Sequence, residues 1–508
     1  MRIIRACHEL GMEAVAVYSD ADAEAAHVRM ADAAVRLGPA PAVESYLRDD
    51  LIVAAARSTG CAAVHPGYGF LAERASFAAA VDAAGLVFVG PDHRVIAALG
   101  DKLAARRTAT AAGVPVVPGT LEAAPVDRPD QVEAVVHSAE AVGYPLLVKA
   151  AAGGGGRGIR RVTSAAELPA ALVAGSSEAA AAFGDGSVYL EREILPARHI
   201  EVQLLGDASG RIVAIGERDC SLQRRHQKLV EEAPAPGLTT EGRRELYELA
   251  VRVASAAGLR NAATCEFLHD RDGRPWFLEV NTRLQVEHGV TELVSGLDLV
   301  REQFWLAAGA PLSAEAVVAA ERAAAPNGHA IEVRLSAEDP ARSFAPTPGR
   351  VGRWTMPAGP GVRIDTAVEA GERVPPDYDP LIAKIMVHAA DRPAAIARLL
   401  GALDETEVSG IQTTLPFHRY VVRDPSFLAA KLSTGWVDEH WDGPRDRAQA
   451  VRRALLAAVI AVGGGGEPCI SYTAGRAALV PGDGGGHKPD SPWRLAALAD
   501  AVDRWPAG

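Results

Sequence analysis

Residues 279–288 constrain the fold of this chain more than any other stretch, because charged and amide side chains recur there at every second position. In an extended strand, side chains two residues apart point to the same side. Five polar groups are therefore predicted to share one face, namely Glu279, Asn281, Arg283, Gln285 and Glu287. The apolar residues 276–278 precede them and favour a strand beside a core. Because unpaired polar groups are costly to bury, the pattern predicts the floor of a site for a metal and an anionic substrate. A solvated strand face is the alternative.

Composition and charge exclude several classes of protein. The chain has 508 residues, which predicts two or three domains. Its formal net charge of −12 argues against nucleic-acid binding, which depends on a basic surface. The five cysteines are odd in number and lack metal-ligand spacing, which favours a reducing compartment. The N-terminus shows no signal-peptide pattern, and the apolar runs are too short to span a bilayer. We therefore expect a cytoplasmic protein that binds neither nucleic acid nor membrane.

Helix and strand patterns alternate over the first 100 residues. Helices are predicted at about 3–10, 46–59 and 77–84, and each is followed by a short apolar strand, at 14–18, 62–64 and 86–89. This alternation predicts a parallel, doubly wound sheet. No strand pattern precedes the first helix, so we expect unpaired backbone groups at one strand position of that sheet.

Beyond residue 100 the patterns divide into further parts. A helix is predicted over about 101–120, ending at Pro115 and Pro118. A smaller unit follows over about 121–196, and a larger strand-rich unit over about 197–440. The residues after Asp442 include an alanine-rich helix and two glycine runs, which predict a tail or linker.

The smaller unit contains four consecutive glycines at 153–156, shortly after Lys149 at the end of a predicted strand. Consecutive glycines let the backbone approach a phosphate closely and turn its N–H groups inward. The sequence is neither a Walker A motif nor the glycine fingerprint that opens a Rossmann helix. It is predicted to form a mobile lid over phosphates, and a flexible hairpin tip is the alternative.

Two further clusters predict an anion site and a cation site. Residues 219–228 bring several basic or titratable groups into a short stretch, which is either an anion site or a surface basic patch. Glu266 and Glu279 are predicted to lie side by side in a hairpin that turns at Asp272 and Gly273. Adjacent carboxylates repel each other unless a cation lies between them, so Mg²⁺ carrying ATP phosphates is predicted there.

Several motifs, in order along the chain, resemble biotin carboxylase, the ATP-grasp component of the biotin-dependent carboxylases. They are residues 65–71 (HPGYGFL), 100–102 (GDK), the glycine loop, 224–236, 279–288 and 337–340 (AEDP). The resemblance runs from residue 1 to about 440. It implies an α/β ATP-grasp fold with an N-terminal doubly wound parallel-sheet domain, a mobile lid domain and a larger α+β C-terminal domain. The implied bounds are 1–100, 101–320 with the lid at about 121–196, 321–440, and a tail at 441–508.

The resemblance also implies a role for each matching residue. ATP is expected to contact Lys102, Lys149, Gly155, Gly156, Glu191, Arg192, Ile194, His199, Gln223, His226, Glu266 and Glu279. The metal ions, Mg²⁺ or Mn²⁺, are expected on Glu266, Glu279 and Asn281. Bicarbonate is expected on Lys228, Arg283, Gln285 and Val286. The implied general base is Glu287, and Arg334 is expected to stabilise the biotin enolate, so that Lys228, Arg283, Glu287 and Arg334 form the catalytic set.

By this resemblance, the enzyme uses MgATP and bicarbonate to form carboxyphosphate and then carboxylates biotin, as the first half-reaction of an acyl-CoA carboxylase. No biotinylation motif occurs in the chain, so biotin is expected on a separate carrier protein. A carboxyltransferase subunit is the second expected partner, and a homodimer is the expected assembly.

Two departures from the family pattern stand out. The N-terminal strand and its Asn-Arg-Gly-Glu-Ile-Ala motif are absent before the first helix, and Ala152 stands where the glycine run usually begins. The first departure motivates an alternative, a catalytically dead or truncated scaffold subunit of the same complex. A different ATP-grasp ligase is a third hypothesis, which residues 226–228 and 285–288 disfavour.

Overall fold

The computed structural model of the protein describes residues 1–151, 159–463, 469–473 and 476–480. It divides into two units. The first comprises Met1–Glu332 with His388–Arg392 and Leu432–Glu439, and the second comprises Val333–Val387, Pro393–Lys431 and the residues from His440 onward. The predicted lid glycines Gly155 and Gly156 lie outside the described residues.

The helices are α1 (Arg2–Glu9), α2 (Ala26–Met30), α3 (Asp49–Ser58), α4 (Ala75–Ala83), α5 (His93–Gly100), α6 (Lys102–Ala111), α7 (Pro129–Val142), α8 (Leu168–Phe183), α9 (Thr240–Ala256), α10 (His288–Ser295), α11 (Leu299–Ala307), α12 (Ala314–Arg322), α13 (Arg392–Glu405), α14 (Leu415–Val421), α15 (Pro425–Leu428), α16 (Trp436–His440) and α17 (Gly443–Gly463). Among the described residues, none of these helices has the length and apolar character that crossing a membrane requires.

The strands are β1 (Val15–Ser19), β2 (Ala33–Gly38), β3 (Ala63–Val64), β4 (Val87–Phe88), β5 (Leu146–Ala150), β6 (Ile159–Val162), β7 (Val188–Arg192), β8 (Arg198–Gly206), β9 (Ile212–Arg224), β10 (Gln227–Ala233), β11 (Asn261–His269), β12 (Pro275–Asn281), β13 (His329–Ser336), β14 (Glu338–Asp339), β15 (Ala345–Pro346), β16 (Gly349–Arg350), β17 (Trp354–Thr355), β18 (Val362–Thr366), β19 (Arg373–Val374), β20 (Leu381–Ala389), β21 (Glu407–Val408), β22 (Cys469–Thr473) and β23 (Arg476–Val480).

The first 100 residues alternate between helix and strand as predicted. The pairs β1–β2 and β3–β4 are both parallel, and among the described residues they form two separate two-stranded ladders. Helix α1 buries Ile4, Ala6 and Cys7. Helix α6 is shorter than predicted, because Gly113 at φ 69° and then Pro115 end it before residue 120.

Residues 124–192 form a small unit around a three-stranded sheet of order β6-β5-β7. Helix α7 and the described part of α8 pack their apolar side chains against it. The shared core includes Val135, Ala139, Leu146, Val148, Leu172 and Leu190. This unit places Lys149 at the end of β5 and Glu191 in β7, on adjacent strands.

The main sheet of the first unit is antiparallel and has the order β12-β11-β8-β9-β10. Apolar residues of β8, β11, α6 and α9 form a core on one of its sides. A two-residue turn joins β9 to β10 and pairs Lys228 with Gln223. Its residues Arg225 and His226 both have left-handed backbone, at φ 47° and 65°, as this type of tight hairpin requires.

The second unit contains an antiparallel pair of strands, β18 and β20, in register from Val362 opposite Val387 to Thr366 opposite Ala383. Helices α13 and α14 bury apolar residues, among them Leu399, Leu403 and Phe417. Arg334 belongs to this unit, where its backbone carbonyl accepts hydrogen bonds from Thr414 and His418.

Candidate active site

The hairpin of β11 and β12 forms as predicted and places Glu266 directly opposite Glu279. The Asn281 amide at the end of β12 donates a 2.7 Å hydrogen bond to Glu266 Oε1. The predicted extended face over 279–287 is wrong in part, because the strand ends at Asn281 and helix α10 begins at His288. Beyond the strand, the Arg283 side chain holds its own segment together, because it donates hydrogen bonds to Asn281 Oδ1 and Gln285 Oε1, both at 3.0 Å.

Lys228 lies at the centre of the site and faces three carboxylates. Its ammonium contacts Glu287 Oε1 at 2.7 Å, Glu266 Oε1 at 3.1 Å, and the carboxylate of Glu201. Burial would lower the pKa of Lys228, but the three carboxylates outweigh burial and raise that pKa well above its ordinary value. Lys228 is therefore a permanent cation in contact with the predicted general base, Glu287.

Glu201 is a member of this cluster that the sequence analysis did not predict. It is fully buried on β8, where it pairs in register with Glu266. Burial alone would raise its pKa, but Lys228 and Arg218 hold that pKa well below the ordinary value, so Glu201 is a carboxylate. The one signal in the sequence was the alternation of His199, Glu201 and Gln203 along a strand.

Arg218, also missed, is a fully buried guanidinium behind Glu201. It donates to Gln203 Oε1 at 3.0 Å, to Thr264 Oγ1 at 3.1 Å and to Thr291 Oγ1 at 2.8 Å. Thr291 belongs to α10, which starts directly after Glu287. Arg218 therefore connects the carboxylate beneath Lys228 to the helix that follows the predicted base.

Two of the predicted ATP-binding residues, Lys102 and His199, contact the two carboxylates of the hairpin. Lys102 Nζ lies 3.2 Å from Glu279 Oε2, and this neighbour lowers the pKa of Glu279 to about 2. His199 Nε2 lies 3.0 Å from Glu266 Oε2. Burial would lower the pKa of His199, but Glu266, with Glu201, raises it to about 9, so the imidazole is a cation at neutral pH.

Lys149 forms a buried ion pair with Glu191, which also accepts a 2.8 Å hydrogen bond from Arg106. Arg106 is 1 % exposed and was missed, because its helix reads as an ordinary amphipathic helix. Of the other predicted residues, Gln223 is buried, Ile194 and Val286 are half-buried, and Arg192 and His226 are exposed. Arg334 belongs to the second unit.

The side-chain amide of Gln285 has N–H groups that no described residue accepts. The residue is 3 % exposed, its Oε1 accepts from Arg283, and its Nε2 has no hydrogen-bond partner among the described residues. A buried amide N–H without a partner costs free energy on the order of 1–3 kcal/mol. An oxygen-rich anion beside Arg283 would satisfy it.

The oxygen ligands expected for a metal are also present. Glu266 and Glu279 supply carboxylates and Asn281 an amide oxygen, which are the hard donors that Mg²⁺ and Mn²⁺ prefer. In the part of the chain that the structure describes, Glu201, Cys220 and Glu287 also converge, with ligand atoms within 4.8 Å of one another. Burial raises the pKa of the Cys220 thiol well above its ordinary value, and a thiolate is a softer ligand than Mg²⁺ or Mn²⁺ prefers.

Comparisons with known families agree with this geometry. Residues 101–315, which hold the site, match the family model of the carbamoyl-phosphate synthase L chain, ATP binding domain. Residues 1–96 match the biotin carboxylase N-terminal domain, and residues 332–439 match the biotin carboxylase C-terminal domain. The fold and site thus define an ATP-grasp ligase.

Individual relatives narrow the class further. The chain is 46% identical over 439 residues to the biotin carboxylase of Pseudomonas aeruginosa, covering 86% of this chain and 95% of that relative. It is 47% identical over 446 residues to the biotin-dependent acyl-coenzyme A carboxylase alpha3 subunit of Mycobacterium leprae, covering 87% of this chain and 73% of that relative.

Solved structures give the same answer. The biotin carboxylase–ATP complex from Campylobacter jejuni superposes with a TM-score of 0.82 at 42% identity, covering 86% of this chain and 96% of the other. The biotin carboxylase domain dimer of Hydrogenobacter thermophilus 2-oxoglutarate carboxylase, solved with MgADP, ADP and bicarbonate, gives 0.81 at 42% identity, covering 86% and 94%. The chain belongs to the biotin carboxylase family.

Proposed function

We propose that this chain uses ATP and bicarbonate to carboxylate biotin on a carrier protein, as the first half-reaction of an acyl-CoA carboxylase. The observation that carries the proposal is the contact between Lys228 and Glu287, which follows by two residues the unused amide donor of Gln285. A cation, a carboxylate and free N–H donors at one place are what an anion needs if it is to be bound and then deprotonated.

In the proposed reaction, Arg283, Gln285 and Lys228 hold bicarbonate while Glu287 takes its proton. The bicarbonate oxygen then attacks the γ-phosphorus of ATP, and the bond from phosphorus to the bridging oxygen breaks, so that ADP leaves and carboxyphosphate forms. Lys228 favours ionised Glu287 and balances the negative charge that collects on the bicarbonate oxygens. Arg334 is proposed to stabilise the enolate that biotin forms when the departing phosphate takes its N1 proton. The bond from the carboxyl carbon to the phosphate oxygen breaks, N1 of biotin bonds to that carbon, and phosphate leaves.

ATP is proposed to bind along Lys102, Lys149, His199 and Glu191, with Arg192, Ile194, Gln223 and His226 lining the site. Lys102 and protonated His199 lie against the carboxylates of the hairpin and oppose the charge of a triphosphate. When bound to Glu266, Glu279 and Asn281, Mg²⁺ would supply neutralisation of phosphate charge.

The domain division and the partners are also proposals. We infer an N-terminal domain over 1–100, an ATP-grasp region over 101–320 with a lid at about 121–196, a C-terminal domain over 321–440 and a tail over 441–508. A biotin carboxyl carrier protein, a carboxyltransferase subunit and a second copy of this chain are the proposed partners, in the cytoplasm. The likeness to the M. leprae acyl-CoA carboxylase subunit supports the acyl-CoA assignment. A dead scaffold subunit is not favoured, because the charged site described above is intact.

The test is ATP hydrolysis by the purified full chain, with and without bicarbonate and free biotin. Hydrolysis that requires bicarbonate and rises with biotin supports the proposal. A folded chain that binds ATP but hydrolyses it at the same rate without bicarbonate contradicts it. Replacing the exposed Glu315 by Gln provides a control that should behave as the unaltered chain.

A further inference from the structure

The motif at residues 65–71 leads into a carboxylate for which the proposed reaction has no role. Glu73 lies in the turn before α4, and its side chain is 37% exposed. Its Oε2 pairs with Arg283 Nε at 3.0 Å, and its Oε1 accepts a 3.2 Å hydrogen bond from the backbone N–H of Thr282. One carboxylate thus holds both the side chain of Arg283 and the backbone directly before it.

Buried residues lie next to both partners of this contact. Leu71 and Ala72 before Glu73, and Phe77 after it, are 4% exposed or less. Thr282 is 1% exposed and lies immediately after the end of β12. Because neither segment can move freely, the carboxylate fixes the point at which the chain leaves the strand and turns toward Glu287.

The contacts of Arg283 show what this arrangement leaves available. Nε faces Glu73, Nη1 donates to Leu284 O and Gln285 Oε1, and Nη2 donates to Asn281 Oδ1. Among the described residues, these contacts hold the guanidinium plane on three sides and leave one N–H of Nη2 for a ligand. A planar fork recognises an oxyanion only when its plane is fixed.

We propose that Glu73 is a positioning residue that orients Arg283 for its anionic substrate. Its effect has two opposing parts. The negative charge of Glu73 weakens the attraction of Arg283 for an anion, but this carboxylate is more than one-third exposed and water screens it. The orientation it imposes acts at hydrogen-bond distance and is not screened, so the positioning effect is the larger one.

The first test does not depend on catalysis. In Glu73→Gln, a neutral amide with one acceptor oxygen replaces the carboxylate that serves both Arg283 Nε and the Thr282 N–H, so the ion pair and one of the two hydrogen bonds are lost. We expect the arginine-selective reagent phenylglyoxal to modify Arg283 about 5-fold faster in this variant, because the guanidinium loses its ion pair and is released. Peptide mass spectrometry measures this rate against that of Arg218, which is fully buried and should not change. An unchanged rate at Arg283 overturns the proposal.

The second test rests on the proposed function. In Glu73→Gln, the KM for bicarbonate should rise about 5- to 10-fold, while the KM for ATP and the thermal unfolding midpoint change little. Glu73→Asp keeps the charge but shortens the reach, and should fall between the two. Glu44→Gln, an exposed carboxylate in the same N-terminal region, is the matched control. A KM for bicarbonate that falls, or that rises equally with the KM for ATP, contradicts the positioning role. If no chain shows bicarbonate-dependent hydrolysis while Arg283 still reacts faster, the proposed function fails and the positioning role stands.

Discussion

Strand β10 carries two buried charges that have opposite surroundings. Near its start, the single ammonium of Lys228 faces the carboxylates of Glu201, Glu266 and Glu287. Near its end, the single carboxylate of Glu232 accepts from His329 Nε2 at 2.9 Å and from Arg392 Nε at 2.7 Å. Three residues of one strand therefore separate a cation that faces three carboxylates from a carboxylate that accepts from two side-chain donors.

The difference teaches how a site can be told from a structural ion pair. Both oxygens of Glu232 are used, since Arg392 Nη2 also donates to Oε1 at 3.0 Å, so the protein satisfies this charge by itself. Around Lys228 the carboxylates of Glu201 and Glu266 are also paired, with Arg218 and His199, but Gln285, two residues before Glu287, has a donor without a partner among the described residues. Burial and charge are common to both places; what marks the site is the unused donor, which a ligand would satisfy.

The largest expected effect is a loss of activity when the carboxylate of Glu287 in the Lys228 cluster is removed. Glu287→Gln keeps the shape of the side chain but cannot take a proton, so bicarbonate-dependent ATP hydrolysis should fall on the order of 10³-fold. Steady-state release of ADP measures this, with Glu315→Gln as the control. Retention of more than one-tenth of the activity would show that another group is the base.

A Glu-to-Gln substitution in the cluster near the end of β10 should instead lower the stability of the protein. Glu232→Gln leaves Arg392 and His329 without their shared carboxylate, and breaking a buried pair in this way costs about 3–5 kcal/mol of unfolding free energy. Urea unfolding measures the cost, and the rate of ATP hydrolysis at room temperature should stay within about 3-fold of the unaltered chain. If Glu232→Gln instead loses activity and keeps its stability, the two clusters do not differ as described.

The dependence of stability on pH tests the comparison further. Burial would raise the pKa of Glu232, but His329 and Arg392 outweigh burial and hold it below the ordinary 4.5. A carboxyl whose pKa is lowered on folding stabilises the protein above its unfolded pKa, and that stabilisation is lost as the pH falls through the folded value. The stability advantage of the unaltered chain over Glu232→Gln should therefore shrink between about pH 5 and pH 3. Urea midpoints of both proteins over this range provide the measurement; an advantage that is constant with pH would refute the assignment.

The smallest expected effect follows from weakening the hydrogen bonds of Arg218, which lies behind the site. Thr291→Val removes one acceptor from the buried guanidinium of Arg218, while Gln203 and Thr264 remain. We expect a loss of about 1–2 kcal/mol in unfolding free energy and a decrease in kcat of about 3-fold or less. Ser at position 291 keeps the hydroxyl and serves as the control, since it should retain the kcat of the unaltered chain. A loss in the Ser variant with none in the Val variant would mean that the methyl group, not the hydroxyl, matters.

Those parts of the structure that depend on local signals were predictable from the sequence. The Asp272–Gly273 turn and the apolar residues beside it gave the hairpin that sets Glu266 opposite Glu279. The alternation of helices and short strands gave β1 and the parallel pair of β3 and β4, but not β2, the partner of β1. In these cases the signals that decide each element lie within a few residues of one another along the chain.

The unpredicted parts depend on contacts between distant segments. Arg218 is identified as part of the site only when Thr264 and Thr291 are brought beside it, and Glu73 only when it reaches Arg283. The predicted extended face failed for a related reason: Arg283 forms hydrogen bonds along its own segment, and these replace the strand ladder after Asn281. A period of two in the sequence cannot reveal where a side chain ends a strand.

The tight turn between β9 and β10 has a consequence for the evolution of this chain. Arg225 and His226 alone connect the strands, and their left-handed backbone fixes Lys228 opposite Gln223. Adding one residue would move the following strand by one position and point the Lys228 ammonium to the other side of the sheet. Most surface turns accept such insertions. In a library of single-residue insertions along the chain, functional variants should therefore be absent at residues 225 and 226, although both side chains are exposed.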